Sequence, residues 1–250
     1  MRAIKNKGNE NVEVEYLYEG LEIELEDKYV ISFVGGGGKT TSIYRLAEEL
    51  TQKGKKVIVT TTTHMQMPKD KVVLNNNICD IKEMLDKNSF VTVGVKSNDD
   101  KIAAISSDKM IELKEICDFL LIEADGAKML PLKAPDKHEP VVLEITNMVV
   151  GVCGIDALGK KIKDTCHRPN IVSQILGKSQ NDIINIDDIS TILSSKSGAM
   201  KCINNKSMKF RVLINKVDNS RLLEVAIKIS KKLENKNIRA IMTSYNYSSN

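Results

Sequence analysis

One short stretch constrains the fold of this chain more than any other: four consecutive glycines, a lysine and two threonines. The stretch reads Gly35-Gly36-Gly37-Gly38-Lys39-Thr40-Thr41. It follows the apolar run 29–34 and precedes an amphipathic segment that ends near Gly54. Glycines let backbone N–H groups converge on phosphate oxygens, and the following helix N-terminus adds partial positive charge. The order of strand, glycine loop and helix therefore predicts a phosphate-binding loop.

The polar residues of this loop have expected roles in binding GTP or ATP with Mg²⁺. Lys39 would reach the β- and γ-phosphates, the Thr40 hydroxyl would ligate Mg²⁺, and the amides of Gly35–Gly38 would neutralise phosphate charge. The strict pattern G-x-x-x-x-G-K-[ST] has glycine where this chain has Phe33. A flexible glycine turn is the alternative, but it leaves the lysine and the threonines unexplained.

Length and composition favour one large α/β domain. The chain has 250 residues, 42% of them hydrophobic, and a net charge of only +4. Its lysines are dispersed and its aromatic residues are few, so we expect no nucleic-acid partner. We also expect no membrane association, because the sequence lacks a long apolar run and a signal-peptide core. The five cysteines form no C-x-x-C pair, which favours a reducing, cytoplasmic location.

Strand-like and helix-like segments alternate from residue 29 onward. The predicted strands are 29–34, 56–60, 90–95, 118–123, 148–153, 210–214 and 238–242. The predicted helices are 40–53, 79–88, 108–117, 170–177, 187–196 and 220–236. This alternation predicts an α/β fold with a doubly wound, mostly parallel sheet flanked by helices. Such sheets bind ligands at the carboxyl ends of their strands.

Two segments depart from this alternation. Residues 1–28 are acidic and alternating, and we predict an N-terminal β-hairpin extension with strands at 12–16 and 21–25 and a turn between them. Residues 29–250 would form the nucleotide-binding domain. Within it, segment 154–209 is too long for a simple crossover and predicts an insertion or small subdomain with two helices.

A second motif follows the predicted strand 118–123 and reads Glu123-Ala124-Asp125-Gly126. A carboxylate at a strand tip can bind Mg²⁺ or its water, and the glycine of a D-x-x-G element contacts the γ-phosphate. We expect both Glu123 and Asp125 to lie near the metal and to form the catalytic group together with Lys39. The alternative is a surface turn after a core strand.

A third motif, Asn215-Lys216-Val217-Asp218, follows the strand 210–214 and matches N-K-x-D, the guanine-reading element of GTP-binding proteins. The Asp218 carboxylate would accept hydrogen bonds from guanine N1–H and the exocyclic amine, which adenine cannot supply. Asn215 would support the loop, and the Lys216 stem would lie over the ring. Thr243 and Ser244 follow the last strand and could support the base. The alternative is an ordinary turn, since Asn and Asp are turn formers.

The run Thr60–Thr63 follows the second predicted strand. Thr62 and Thr63 would place hydroxyls where a switch segment or a phosphate-contacting loop lies. The alternative is a β-branched strand end.

A further group combines Cys153 with Cys166, His167 and Arg168. Arg168 could bind an anion through its two-pronged guanidinium, and the thiols and imidazole could hold a soft metal or a selenium species. The spacing is not that of a zinc finger, and structural cysteines beside a helix-capping loop are the alternative.

The glycine-rich loop Phe33–Thr41 resembles the deviant P-loop of the SIMIBI class of GTPases, although the early lysine of that loop is Val34 here. In their order the motifs are more specifically similar to YqeC-type accessory proteins of selenium-dependent molybdenum hydroxylases. The resemblance runs from about residue 28 to the C-terminus. Its motifs are Phe33–Thr41, Thr60–Thr63, Glu123–Lys128 and His167-Arg168-Pro169. His64 departs from the pattern.

The resemblance implies a Mg²⁺-dependent nucleotide-binding protein, with GTP favoured over ATP, that acts as a maturation factor. Its implied partners are a selenium-dependent molybdenum hydroxylase or the proteins that mature its cofactor, and a homodimer is also implied. Lys128, Arg168 and the threonine loop are the residues that would couple nucleotide state to cargo. Two alternatives stay open: a P-loop small-molecule kinase, and a carrier that binds a nucleotide or metal cofactor without hydrolysis.

Overall fold

The computed structural model describes residues 1–7, 10–98, 100–203 and 207–246. The strands are β1 (Arg2–Lys7), β2 (Glu10–Val14), β3 (Tyr29–Gly35), β4 (Val57–Thr61), β5 (His64–Gln66), β6 (Val72–Val73), β7 (Phe90–Val93), β8 (Val95–Asn98), β9 (Lys101–Ala103), β10 (Phe119–Glu123), β11 (Leu132–Lys133), β12 (Met148–Gly154), β13 (Cys166–His167), β14 (Lys209–Asn215) and β15 (Arg239–Ser244). The helices are α1 (Leu17–Leu21), α2 (Lys39–Gln52), α3 (Ile78–Asn88), α4 (Ser107–Ile116), α5 (Ile162–Thr165), α6 (Pro169–Leu176), α7 (Ile186–Ser194) and α8 (Ser220–Glu234), with a turn of 3₁₀ helix at Ile155–Ala157.

A ten-stranded sheet forms the centre of the fold, in the order β2-β1-β15-β14-β12-β3-β10-β4-β7-β6. Every pairing from β15 to β6 is parallel, and the N-terminal hairpin, β1 and β2, adds antiparallel strands at one edge. The expected α/β, mostly parallel sheet is confirmed. The seven predicted strands correspond to β3, β4, β7, β10, β12, β14 and β15.

The central strands are apolar because helices cover both faces of the sheet. All residues of β10 and β12 are buried, as expected for parallel strands between two helical layers. On one face α2 buries Ile43, Leu46 and Leu50, whose spacing places them on one side of a helix. On the other face α3 and α4 pack at one end of the sheet, and α6, α7 and α8 share a core with β14 at the other.

The N-terminal segment differs from its prediction in detail. The predicted turn between the two strands is helix α1, and the hairpin is formed upstream by β1 and β2. Leu17 and Leu21, four residues apart, both lie buried on one side of this short helix. Its first amides are held by Glu49 of α2, whose carboxylate accepts from Leu17 N at 2.6 Å and from Tyr18 N at 3.4 Å.

The segment between β12 and β14 carries the 3₁₀ turn, α5, β13, α6 and α7. The two predicted helices correspond to α6 and α7. Strand β13 pairs with β11, so that Cys166 lies opposite Leu132 and His167 opposite Lys133. This pairing brings a late part of the chain beside the loop that follows β10. In the described ranges, no helix combines the length and the apolarity needed to cross a membrane.

Candidate functional site

The glycine loop lies at the carboxyl end of β3, between the ends of β10 and β12. Gly37 has φ +74°, and a Cβ added there would lie 1.9 Å from the nitrogen of Gly154 on β12. Gly38 has φ +113° and begins α2 as its N-cap. Gly37 therefore requires glycine for its left-handed backbone and for the close approach of β12, and Gly38 requires it for its left-handed backbone and for the close approach of the Asn215 side-chain amide.

Three of the four glycine amides donate to acceptors within the protein. They are Gly35 N to Asp125 Oδ2 at 3.0 Å, Gly36 N to Val152 O at 3.0 Å and Gly37 N to Leu130 O at 3.0 Å. This differs from the expectation that all four amides face phosphate, because a carboxylate and two carbonyls come close enough to accept them. The N-cap, Gly38, has no side chain to cap α2. The first turn of α2 is therefore the part of the loop that can receive a phosphate.

Lys39 is the charged residue at the start of α2, and it is only 4% exposed. Its Nζ donates to Gly35 O at 2.5 Å and lies 3.1 Å from Asp125 Oδ1 and 4.0 Å from Glu123 Oε1. The structure thus brings together the three residues that were predicted as the catalytic group.

Thr40 and Glu123 place two oxygen-bearing groups side by side. The Thr40 hydroxyl donates to Glu123 Oε2 at 2.7 Å. Burial raises the pKa of the Glu123 carboxyl, and the nearby Lys39 charge and the Thr40 hydrogen bond offset this only in part. Hydroxyl and carboxylate oxygens are the ligands that Mg²⁺ prefers, so the donor set fits the expected metal. Thr41, one residue further along α2, is exposed.

Asp125 is almost fully buried, and two lysines pair with it. Besides Lys39, the Nζ of Lys133 lies 3.0 Å from Asp125 Oδ2. Lys133 also donates to Glu139 Oε2 at 2.5 Å. Arg168 donates to both oxygens of Glu139, to Oε2 at 2.5 Å and to Oε1 at 2.9 Å. Although burial opposes ionisation, Arg168 and Lys133 lower the pKa of Glu139 to about 2.

Sequence reasoning missed Lys133 and Glu139. Lys133 is the single charged residue in the run 131–135, whose other residues are apolar and favour burial. A charged residue in such a run is a signal for a buried ion pair. Glu139 carries no comparable signal. Arg168, predicted to bind an anion, binds this carboxylate, and it does so from a left-handed backbone with φ +61°.

The N-K-x-D element adjoins the glycine loop. Asn215 Nδ2 donates to Gly37 O at 2.9 Å, and Thr243 Oγ1 donates to Asn215 Oδ1 at 3.0 Å. Ser244 Oγ donates to Asp218 Oδ1 at 2.6 Å. Asn215 therefore ties the end of β14 to the glycine loop after β3 and to the end of β15, and Ser244 of β15 holds Asp218.

Lys216 of the same element has φ +64°, and its Nζ lies 2.9 Å from Asp156 Oδ2, after β12. Asp156 is a third residue of the site that sequence reasoning did not single out. The ion pair holds the Lys216 side chain toward the end of β12.

The threonine loop after β4 packs against the Asp125 loop. The Thr61 hydroxyl donates to Glu123 O at 2.8 Å, and the Thr62 hydroxyl donates to Val141 O at 2.8 Å. Thr63 N donates to Thr61 Oγ1 at 3.0 Å. Thr62 and Thr63 are thus placed next to the acidic strand end.

Cys153 and Cys166 are buried, and burial raises the pKa of each thiol to about 12. Burial, together with the charges of Lys133 and Arg168, lowers the pKa of His167. Within the described part of the chain, no three His, Cys, Asp or Glu side chains cluster so as to hold a metal ion. Lys128 lies exposed on the loop after Asp125.

The sequence model of the YqeC protein family matches residues 31–170. The chain belongs to the YqeC family. A relative described as uncharacterized protein YqeC, from Escherichia coli (strain K12), is 34% identical over 185 residues, which span 69% of this chain and 70% of the relative. The YqeC match contains the glycine loop and Arg168, whereas Asn215 and Asp218 lie beyond it.

Among solved structures, the hydrogenase maturation factor HypB from Archaeoglobus fulgidus is similar to this chain with a TM-score of 0.42 and 14% identity. The similarity covers 90% of this chain and 85% of the HypB chain.

Proposed function

We propose that this protein is a Mg²⁺-dependent nucleoside triphosphatase that prefers GTP and serves as a cytoplasmic maturation factor for selenium-dependent molybdenum hydroxylases. One observation carries the proposal: Lys39, Thr40 and the acidic end of β10 surround the uncapped start of α2. A helix N-terminus, an ammonium, a hydroxyl and a carboxylate are the groups that bind a nucleoside phosphate with its metal.

Each residue of the phosphate end has a distinct part. The amides of Gly38, Lys39 and Thr40 would receive phosphate oxygens, and the Lys39 ammonium would neutralise their charge. Thr40 and Glu123, with Asp125 beside them, would hold Mg²⁺, which supplies further charge neutralisation at the phosphates. Arg168 is bound to Glu139 and does not serve this end of the site. We therefore expect slow intrinsic turnover until a partner or a second copy contributes a cation.

The preference for guanine rests on the hydrogen bonds around Asp218 and Asn215. Ser244 fixes the Asp218 carboxylate, and Asn215 links β14 to the glycine loop. Guanine offers two N–H donors to a carboxylate at this place, whereas adenine offers none at N1.

Nucleotide titrations test this part of the proposal. GTP and ATP, each with Mg²⁺, are titrated into wild type, Lys39→Ala, Asp218→Asn and Lys82→Ala. We expect wild type to bind GTP at least about tenfold more tightly than ATP, and Lys39→Ala to weaken binding of both nucleotides. The control Lys82→Ala, which changes an exposed residue of α3, should bind both as wild type does. Asp218→Asn should lose the guanine preference and improve binding of the xanthine nucleotide, whose carbonyl accepts from the new amide.

Equal affinity of wild type for GTP and ATP would show that the N-K-x-D element is an ordinary turn that does not recognise the base. Failure of wild type to bind either nucleotide would overturn the nucleotidase itself. Release of free phosphate, followed in the same samples, separates a triphosphatase from a carrier.

The maturation role is supported by membership of the YqeC family and by the surface around the nucleotide site. Lys128, Thr62, Thr63 and the segment Cys166–Arg168 are the residues proposed to couple nucleotide state to cargo or partner. In cells without the protein, the activity of a selenium-dependent molybdenum hydroxylase should fall, and wild type but not Lys39→Ala should restore it. Unchanged hydroxylase activity in those cells would refute this role.

A further inference from the structure

Five charged side chains of alternating sign run from the glycine loop toward the surface. In order they are Lys39, Asp125, Lys133, Glu139 and Arg168, with N–O distances of 3.1, 3.0, 2.5 and 2.5 Å between successive members. Lys133 lies at the centre of this ion-pair chain. Its position links the phosphate-binding lysine to groups outside the expected nucleotide contacts.

Lys133 is fully withdrawn from solvent, with its side chain 0% exposed. A buried ammonium is tolerated only where its hydrogens have acceptors. Lys133 Nζ has three: Gly126 O at 2.5 Å, Glu139 Oε2 at 2.5 Å and Asp125 Oδ2 at 3.0 Å. The space bordered by Gly35, Asp125 and Lys133 is about 10 Å³, which admits about one water molecule at most. A single neutral water there could not supply the positive charge that Lys133 places beside Asp125.

Two partners compete for the ammonium group of Lys39. It lies 3.1 Å from buried Asp125, and the proposed function requires its ammonium at the phosphates. If Asp125 depended on Lys39 alone, transfer of that ammonium to phosphate would take away the protein cation that pairs with a buried carboxylate, which is strongly unfavourable. The second ammonium, on the opposite oxygen of the same carboxylate, removes this conflict.

We propose that Lys133 is a positioning residue of the phosphate site: it holds Asp125 in place as its second cationic partner, so that Lys39 can transfer to phosphate. Glu139 and Arg168 orient Lys133 and balance its charge. The inference rests on the proposed nucleotide binding, but the sharing of Asp125 between two lysines is a property of the protein by itself.

A binding cycle tests the transfer. GTP affinity with Mg²⁺ is measured for wild type, Lys133→Met, Asp125→Asn and the double variant, with ATP used if wild type prefers it. Lys133→Met should weaken binding about tenfold or more in wild type, because Asp125 then retains Lys39. In the Asp125→Asn background the same change should cost less than about threefold, since a neutral amide makes no demand on Lys39. Lys133→Arg, which keeps the charge, should bind more tightly than Lys133→Met.

Equal losses in the two backgrounds would overturn the inference, because a merely structural role for Lys133 is not relieved by neutralising Asp125.

A second cycle needs no nucleotide. Urea midpoints are measured for Lys39→Met, Lys133→Met and both together, with Lys56→Met as a control on an exposed ion pair. The double variant should lower the urea midpoint by more than the sum of the decreases in the two single variants. Adding Asp125→Asn to the double variant should restore most of this additional decrease. Additive midpoints would show that the lysines do not share Asp125 and would overturn the inference. An excess in this cycle without nucleotide binding by wild type would remove the proposed function while the shared carboxylate stands.

Discussion

Replacing Asn215 by alanine should destabilise the protein far more than its position at a strand end suggests. Asn215 is 2% exposed, and its amide makes two buried hydrogen bonds, one to Gly37 O and one from the Thr243 hydroxyl. The alanine variant leaves both of these partners unpaired, at about 1–3 kcal/mol each. We expect a loss of about 2–6 kcal/mol, which is a large share of the about 5–15 kcal/mol by which such proteins are stable.

Urea denaturation of wild type and variant measures this loss as a change in midpoint at constant slope. A matched control is Asn219→Ala, the same substitution four residues away. Asn219 caps α8 through one hydrogen bond to Leu222 N at 2.9 Å, so its loss should cost about 1 kcal/mol. Thr243→Val removes one of the two bonds at Asn215 and should fall between the two. The reasoning is refuted if Asn215→Ala costs no more than Asn219→Ala.

Three other measurements address the ion pairs, the glycine loop and the thiols. The pKa of Glu139 is lowered to about 2, so its stabilising effect is complete above its ordinary value of 4.5 and disappears as the pH falls toward 2. Urea midpoints between these pH values should show about 1 kcal/mol of extra loss in wild type, after allowing for solvent screening, and Glu139→Gln should lack it; equal pH profiles would contradict the assignment. Gly37→Ala should cost at least about 2 kcal/mol in the same assay, because a left-handed alanine also meets β12; Gly54→Ala, with φ +76° and open space around it, should cost only the strain, and equal costs would count against the close approach. In the native protein the exposed Cys79 should react with a thiol reagent at least about tenfold faster than Cys153, whose pKa is about 12, and comparable rates would show that β12 opens.

The sequence was sufficient to predict the central architecture. Each predicted strand from residue 29 onward lies within two residues of an observed one at either end, because the apolar runs that cross the core are bounded by polar turns. The sites followed from this, since motifs at the ends of parallel strands must meet at one edge of the sheet. The predicted position of the N-terminal hairpin is wrong. The alternation over 12–25 indicates two strands, but Leu17 and Leu21 are buried on one side of a helical turn.

The parts of the site that sequence reasoning missed depend on contacts between distant segments. Lys133 reaches Asp125 because β11 pairs with β13, an association of two-residue strands that carries no periodic signal. Glu139 meets Arg168 across 29 residues for the same reason. The roles of the glycine amides also depended on neighbours, because the approach of β12, Leu130 and Asp125 shows which amides have acceptors within the protein.

Glu49 links the far end of α2 to the N-terminal segment of the chain. Its side chain is 0% exposed, burial raises the pKa of its carboxyl, and its partners are Arg45 and the amides of Leu17 and Tyr18. A protein that began at residue 29 would lose both amide donors and expose the far end of α2, whose other end begins at the glycine loop. The first 28 residues therefore stabilise the helix that would bind phosphate. Removing them should weaken nucleotide binding, although they contact the opposite end of that helix.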